Sequence, residues 1–232
     1  MSAAVYLIPS VLAEDATASI PTYVLQAIEQ CQVVFAENER TTRRFFKSLS
    51  KDIVIDNYEW FAIHKAEQEV VQAFKEKIKE GKNIAIVSEA GCPGVADPGQ
   101  VLVAAAQAMD VAVKPLVGPS SILLALMASG MNGQQFEFVG YLPIDNNERM
   151  KSIRELEAAS QKNRSTKIFI ETPYRNNQLL ETLLKTCKPS TRICVAAELT
   201  SANEYVKTKP VADWKKEKID LHKKPVIFLL LG

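Results

Sequence analysis

Several things are scarce in this chain of 232 residues, and each scarcity excludes something. It has two histidines and four cysteines (Cys31, Cys92, Cys187 and Cys194), with no Cys-x-x-Cys pair. That set excludes a structural zinc site and is the usage expected in a reducing cytoplasm. Charge of one sign is also missing. Twenty-eight basic residues face 27 acidic ones, for a net charge of +1. No global field draws the molecule to nucleic acid or membrane, so any RNA contact has to come from a local patch. The first residues, MSAAVYLIPS, carry no basic segment and too short an apolar run for a signal peptide. No run approaches the ~20 apolar residues of a membrane span. The expectation is a protein of the cytoplasm that touches no membrane.

Hydrophobic residues make up 47% of the chain, which is enough for a large core. Strand-length apolar runs alternate with helical patterns. AVYLI (4–8), VVFA (33–36), IVI (53–55), IAIV (84–87) and VAVKPL (111–116) read as strands. Helical stretches lie between them at 21–30, 41–49, 62–80 and 99–109. This β-α alternation predicts a mostly parallel sheet covered on both faces. His64 falls on the 62–80 stretch, on a charged and solvated face. After LVGPSS the character changes. An apolar helix, SSILLALMAS, is followed by FEFVGYL, a charged helix over about 147–162, the strands KIFIE, RICVAAE and VIFLLL, and an exposed edge strand EYVKT. Two α/β domains are expected, 1–116 and 117–232.

Glycine is scarce as well, at nine residues, yet three of them fall in the thirteen-residue stretch VSEAGCPGVADPG (87–99). It follows the apolar run IAIV, at the strand end where open α/β sheets bind ligands. Its glycines let backbone approach a ligand closely. A phosphate, a metal or a sulfonium cofactor would each suit such a loop, and so would a rigid turn with no ligand. The spacing matches neither G-x-G-x-x-G nor G-x-x-x-x-G-K-[ST], so dinucleotide and P-loop readings fail. VGPSS (117–121) is a second Gly-Pro turn opening on a helix. Its free N–H groups and hydroxyls suit a carboxylate, or simply cap the helix.

The blocks IAIVSEAGCPGVADPG, VKPLVGPSSILLALMASG, FEFVGYLP, IFIETPYR, AAELT and VIFLLLG stand in the order seen in the tetrapyrrole methylase superfamily. Within it they look most like the ribosomal RNA small-subunit methyltransferase I branch, which methylates a cytidine 2′-hydroxyl of 16S rRNA with S-adenosylmethionine (SAM). The match is specific from about residue 82 onward. Earlier, VVFAENERTTRRF is similar to the branch's Ala-Glu-Asp-x-Arg segment.

The resemblance implies two α/β domains with SAM in the cleft between them, in a homodimer. Carried over by position, the cofactor would meet Pro9, Ser10, Gly91, Cys92, Val95, Ser120, Ser121 and Ile122. It would also meet Ile170, Thr172, Ala197, Leu199, Lys224 and Pro225. Glu37 would serve as proton acceptor and Arg40 as a phosphate holder. Arg43, Arg44, Tyr174 and Arg175 would face the substrate, and Phe45 or Phe46 would stack on a base or fill the core. Internal Glu–Arg pairing on a solvated face is the plainer reading of ENERTTRR. RNA of the small ribosomal subunit is the implied substrate. A tetrapyrrole or other small acceptor, or SAM binding without catalysis, are the alternatives. The chain departs from the branch at LIPSVLAED (no Gly-Asn turn), Asn38, Glu89, Cys92 and Ser201. These departures touch the substrate side more than the cofactor side.

Overall fold

The computed structural model describes residues 3–63 and 67–232, the side chains of 67 and 68 excepted. His64 and Ala66 lie outside the described residues. The chain divides into two compact units, Met1–Ser120 and Ser121–Gly232.

The first unit is a five-stranded, wholly parallel sheet. Its strands are β1 (Ala4–Ile8), β2 (Val33–Ala36), β3 (Glu59–Ala62), β4 (Ile84–Val87) and β5 (Ala112–Pro115), in the order β3-β2-β4-β1-β5. Alternate side chains point to opposite faces, and two cores result. Tyr6, Ile8, Val34 and Val87 join one core, under α1 (Tyr23–Glu29) and α2 (Glu39–Leu49). Val5, Phe35, Ile84 and Ile86 join the other, under α3 (Glu67–Lys79) and α4 (Gln100–Ala108). Burial on both faces explains why β2 and β4 are uninterrupted apolar runs.

One expected strand is displaced. Residues 53–55 do not pair. Ile53 drops into the core beside α2 while Val54 is exposed, and 55–57 form a single 3₁₀ turn. The edge strand is β3, EWFA, which aligns Val33 with Glu59 and Ala36 with Ala62. Its leading residue is charged, so apolar content alone passes it over. Lys77 and Lys82 hold that carboxylate at the sheet edge.

The second unit is a mixed sheet. It holds β6 (Phe136–Tyr141), β7 (Thr166–Ile170), β8 (Arg192–Ala197), β9 (Tyr205–Pro210) and β10 (Val226–Leu231), in the order β6-β7-β10-β8-β9. Only β6 and β7 run parallel; the other three pairings are antiparallel. A core built on Phe169, Val195, Phe228 and Trp214 lies beneath α6 (Asn146–Asn163), α7 (Asn176–Thr186) and α8 (Val211–Trp214). Trp214 donates its indole N–H to Ile193 O at 2.8 Å, which satisfies a polar group sealed from water. Helix α5 (Ser121–Ser129) packs on β8, β9 and β10. The charged helix begins where the sequence places it because Asp145 caps it, accepting from the N–H groups of Asn147 and Glu148.

Candidate functional site

In the first unit the loops at the carboxyl ends of β1, β4 and β5 are laced together. Ser10 and Gly91 exchange backbone hydrogen bonds, Ser10 N to Gly91 O at 2.8 Å and Gly91 N to Ser10 O at 3.1 Å. The Cys92 thiol approaches Pro119 O at 3.5 Å. Gly118 rests directly on Pro9: a Cβ built at Gly118 would lie 2.1 Å from Pro9 Cβ. Pro9, Ser10, Gly91, Cys92 and Gly118–Ser120 therefore form one surface, drawn from three separated stretches of sequence. The 87–99 loop keeps its shape through positive φ at Gly91 (73°), Gly94 (78°), Ala96 (62°) and Gly99 (116°). Val95 and Val117 stand exposed on these loops. Burial first, and then the charge of Asp97, push the Cys92 thiol up.

Three carboxylates crowd the ends of β2 and β4. Glu37 Oε2 accepts from Glu89 N at 2.8 Å, and Glu89 Oε1 accepts from Asn38 Nδ2 at 3.3 Å. Asp97 is pushed up to about 6, first by burial and then by the charges of Glu37 and Glu89. Arg40 sits in the first turn of α2, exposed, its backbone N–H donating to the Asn38 cap. Arg43 is engaged. It pairs with Glu39 at 3.1 Å and lies 4.8 Å from the centre of the Trp60 ring. Arg44 projects from the same helix with no ion pair among the described residues. Phe45 and Phe46 are core.

The second unit gathers its expected residues at one end of its sheet. The ends of β7 and β8 and the start of β10 lie side by side, with Ile170 opposite Ile227 and Ala197 opposite Val226. Thr172, Leu199, Lys224 and Pro225 continue from those ends. Glu198 N donates to Pro225 O at 3.0 Å, and Lys224 Nζ lies 2.8 Å from Glu198 Oε2. Ser121 and Ile122 open α5, with Ile122 buried. Tyr174 is exposed and meets the His222 ring edge-on at 5.7 Å. Arg175 is held inward: Nε and Nη2 donate to Glu171 Oε1 at 3.0 and 2.7 Å.

The polar balance of that end is one-sided. Glu171 Oε2, Asn176 Oδ1 and Thr200 Oγ1 are buried without a partner among the described residues. Buried orphans of this kind are rare and call for an explanation. These three are acceptors, two of them unable to donate in the charged carboxylate and amide-oxygen forms. They suit a ligand rich in donors and positive charge. In the first unit, taken by itself, residues 88–99 and 117–120 offer glycine-permitted backbone and exposed valines, which suit an apolar group.

A family model for tetrapyrrole (corrin/porphyrin) methylases matches residues 16–214. The chain belongs to that family. Its chemistry is methyl transfer, and SAM, with its sulfonium, ammonium and amino groups, fits the acceptor-rich loops just described. Among curated relatives, the ribosomal RNA small subunit methyltransferase I of Escherichia coli O157:H7 is 29% identical over 98% of this chain and 77% of its own length. Proteins of the same name from Vibrio cholerae and Micromonospora olivasterospora are 34% and 35% identical. They align over 74% and 75% of this chain and 60% and 52% of their own lengths. The chain thus spans between about half and three quarters of these relatives. Two solved structures share the fold at 16% identity. The methyltransferase CobJ has a TM-score of 0.66, with 100% of this chain and 95% of that one covered. The uroporphyrin-III C-methyltransferase of Thermus thermophilus, solved with S-adenosyl homocysteine, has a TM-score of 0.56, with 98% and 97% covered.

Sequence reasoning missed Asp97, Glu171, Asn176 and Thr200 as site residues. Asp97 was visible as one of two carboxylates in the quoted loop. The Glu171–Arg175 pair carries a readable i, i+4 spacing. Nothing local marks Asn176 or Thr200, because their lack of partners arises only when three strand ends meet.

Proposed function

We propose that the chain is a SAM-dependent methyltransferase that acts on ribosomal RNA, at a ribose 2′-hydroxyl of the small subunit. One observation carries the reading. Relatives 29–35% identical, one of them aligned along 98% of the chain, share the name ribosomal RNA small subunit methyltransferase I, whereas the solved tetrapyrrole enzymes share 16%.

Bound SAM supplies a methyl group already activated on a sulfonium. The protein's part is to position, to exclude water and to manage a proton. Ser10, Gly91, Cys92, Val95 and Ser120 of the first unit hold the cofactor, together with Ser121, Ile122, Ile170, Thr172, Ala197, Leu199, Lys224 and Pro225 of the second. Glu37, whose Oε2 is oriented by the Glu89 N–H, takes the proton of the acceptor hydroxyl. Arg40 steadies the neighbouring phosphate. Base assistance of this kind contributes ~10²–10⁴ in rate. The expected outcome for Glu37→Gln is a kcat lower by that order with SAM affinity retained; unchanged turnover would remove Glu37 from the mechanism.

A homodimer fits the apolar outer face of α5, where Leu123 and Met127 are exposed opposite the buried Ile122, Ala125 and Leu126. A second copy of the chain is the natural cover for such a face, and light scattering measures it. The cytoplasm fits the four free cysteines, and no described helix is long and apolar enough to cross a membrane. The deciding experiment offers labelled SAM with 30S subunits from a strain lacking the protein, and separately with uroporphyrinogen. Label in the 16S RNA is expected. Label in the tetrapyrrole alone, or in neither, overturns the reading.

A further inference from the structure

The net charge of +1 conceals a partition. The first unit carries eleven lysines and arginines against fifteen aspartates and glutamates, and the second carries seventeen against twelve. Their net charges are therefore −4 and +5. Nearly all of the second unit's excess lies in one stretch, 207–224, which holds seven lysines and three acids. It comprises the end of β9, helix α8 and the strap 215–224 that runs on toward β10.

The strap is held in shape. Trp214 and Leu221, each 1% exposed, sink into the core on either side of 215–220. The Asn177 side chain of α7 clamps it through both ends of its amide. Nδ2 donates to Asp220 Oδ1 at 2.7 Å, and Oδ1 accepts from Leu221 N at 2.8 Å. His222 N also donates to Asp220 Oδ1, at 3.0 Å. Lys223 N donates to Pro173 O at 3.0 Å, which brings Lys223 beside Tyr174, whose ring meets that of His222.

The acids of the stretch are engaged within it. Asp213 pairs with Lys216 at 2.8 Å, Glu217 pairs with Lys209, and Asp220 is held by Asn177 and His222. Lys224 pairs with Glu198. Lys207, Lys215, Lys218 and Lys223 are exposed and make no ion pair among the described residues. Lys207 and Lys218 line one groove between β9 and the strap, where the remaining carboxylate, Glu204, accepts from Thr200 N. Lysine on an open sheet edge guards it against stray pairing, which accounts for Lys207 on the edge strand β9. It does not account for Lys215, Lys218 and Lys223, which lie off the sheet.

We propose that Lys207, Lys215, Lys218 and Lys223 form the surface on which the RNA backbone docks, each ammonium taking a phosphate. The proposal rests on the RNA reading above for the identity of the partner. Its chemistry is neutralisation of phosphates with release of their counterions, which gives affinity without reading sequence. Lysine suits that task as a point charge on a flexible stem. The pinned strap presents the charges with little backbone left to order on binding. The surface ends at Tyr174, expected above to face the substrate, and the exposed rings of Tyr174 and His222 suit a stacked base. The four lysines dock the substrate and do not touch the reacting atoms.

The test compares two quadruple variants of the full chain with equal loss of charge. One combines Lys207→Gln, Lys215→Gln, Lys218→Gln and Lys223→Gln. The other combines Lys51→Gln, Lys79→Gln, Lys151→Gln and Lys162→Gln, all at exposed positions away from the strap. Binding of a dye-labelled single-stranded RNA and of 30S subunits is followed against salt, with thermal melts, SAM titrations and methyl-transfer assays alongside. Each phosphate contact to a single strand contributes ~0.7 to the slope of log K against log salt. The first variant should lose about 3 from that slope and bind RNA roughly 10²–10³-fold more weakly at 0.1 M salt, and Lys218→Gln alone about fivefold. The second variant should keep the wild-type slope, and both should keep the wild-type melting point and SAM affinity. Equal weakening in the two quadruple variants overturns the proposal, since net charge then acts without a surface. Wild-type RNA binding in the first variant, with 30S RNA still labelled, overturns the proposal alone. Tighter binding to phosphatidylserine vesicles than to RNA, lost in the same variant, gives the surface to a membrane and overturns it as well. RNA bound through these lysines but never labelled upholds the docking surface and overturns the methyltransferase reading. A wild type that binds no RNA overturns both.

Discussion

Gly118 is where the packing of the proposed cofactor surface is tightest, and Gly118→Ala probes it. The added Cβ would stand 2.1 Å from Pro9 Cβ and 2.5 Å from Pro9 Cγ, against the 3.5–4.0 Å of ordinary carbon contact. Neither side yields easily. Pro9 is tethered through Ser10, whose N–H donates to Gly91 O, and the strand before Gly118 is tethered by Leu116 N to Leu7 O and by Val117 N to the Tyr23 hydroxyl at 2.7 Å. Overpacking of a well-filled site costs about 1–3 kcal/mol, and a clash between two anchored backbones belongs at the upper end. For a chain of this size that is a fall in Tm of roughly 5–10 °C. Urea unfolding in a Trp214→Phe background checks it, because Trp60 is then the reporter and lies in the first unit. The partner substitutions sharpen the result. Pro9→Ala keeps the Cβ that causes the closest contact and should relieve little. Pro9→Gly removes both offending atoms and should recover at least 1 kcal/mol of the loss in a double-mutant cycle. A Gly118→Ala protein as stable as the wild type, or equal rescue by Pro9→Ala, would refute the reasoning.

Asp97 gives a pH signature. It is raised from the ordinary 3.8 to about 6 by burial and by Glu37 and Glu89, so its protonated form is the one the fold favours. Its favourable contribution is complete below pH 4 and is lost as pH rises through 6. Asp97→Asn should therefore stabilise the protein at pH 7.5 by about 1 kcal/mol, solvent screening at the partly exposed side chain keeping the gain small, and leave stability at pH 4 unchanged. A difference that does not vary with pH in urea melts would disprove that cause. Asn38 caps α2 through Oδ1, which accepts from Arg40 N (3.1 Å) and Thr41 N (3.3 Å). Asn38→Ala should cost about 1 kcal/mol in the same melts, and an unchanged midpoint would show that the cap contributes nothing.

The parts of this molecule legible in its sequence are those whose cause is local. β2 and β4 announce themselves because a strand buried on both faces has no polar position to interrupt it. The turn at 87–99 announces itself because a chain with so little glycine has spent three of its nine there. The apolar helix α5 is likewise bounded by local signals, Ser120 before it and Gly130, at φ 65°, after it. β3 is illegible for the opposite reason. EWFA pairs on one side only, its carboxylate is held by lysines 18 and 23 residues away, and the more apolar IVI beside it is used as filling instead. Of the arginines of ENERTTRR, only Arg43 has its ion pair readable in sequence, from Glu39 at i, i+4; the Trp60 ring that also meets it is supplied by the fold.

Backbone strain ties the two halves of the reading together. Six non-glycine residues among those described hold positive φ: Ala96, Asp110, Arg164, Glu198, Thr200 and Lys223. Such a conformation costs of order 1 kcal/mol or more for a side chain with a Cβ, and it persists where surrounding structure enforces it. Arg164 needs no special cause, since it closes α6 as a left-handed C-cap, and Asp110 turns the chain two residues beyond α4. The other four are not helix ends. Ala96 lies in the 87–99 loop of the first unit, while Glu198, Thr200 and Lys223 lie in the strand-end loops of the second, beside Leu199, Lys224 and the orphan acceptors. Glu198 and Thr200 turn the chain between β8 and β9, where Ser201 N donates to Glu198 O and Thr200 N to the Glu204 carboxylate, and Lys223 N donates to Pro173 O. Strain and unsatisfied polar atoms arise from different physics, one steric and one electrostatic. In the second unit they fall on the same loops, and those are the loops proposed above to hold the cofactor.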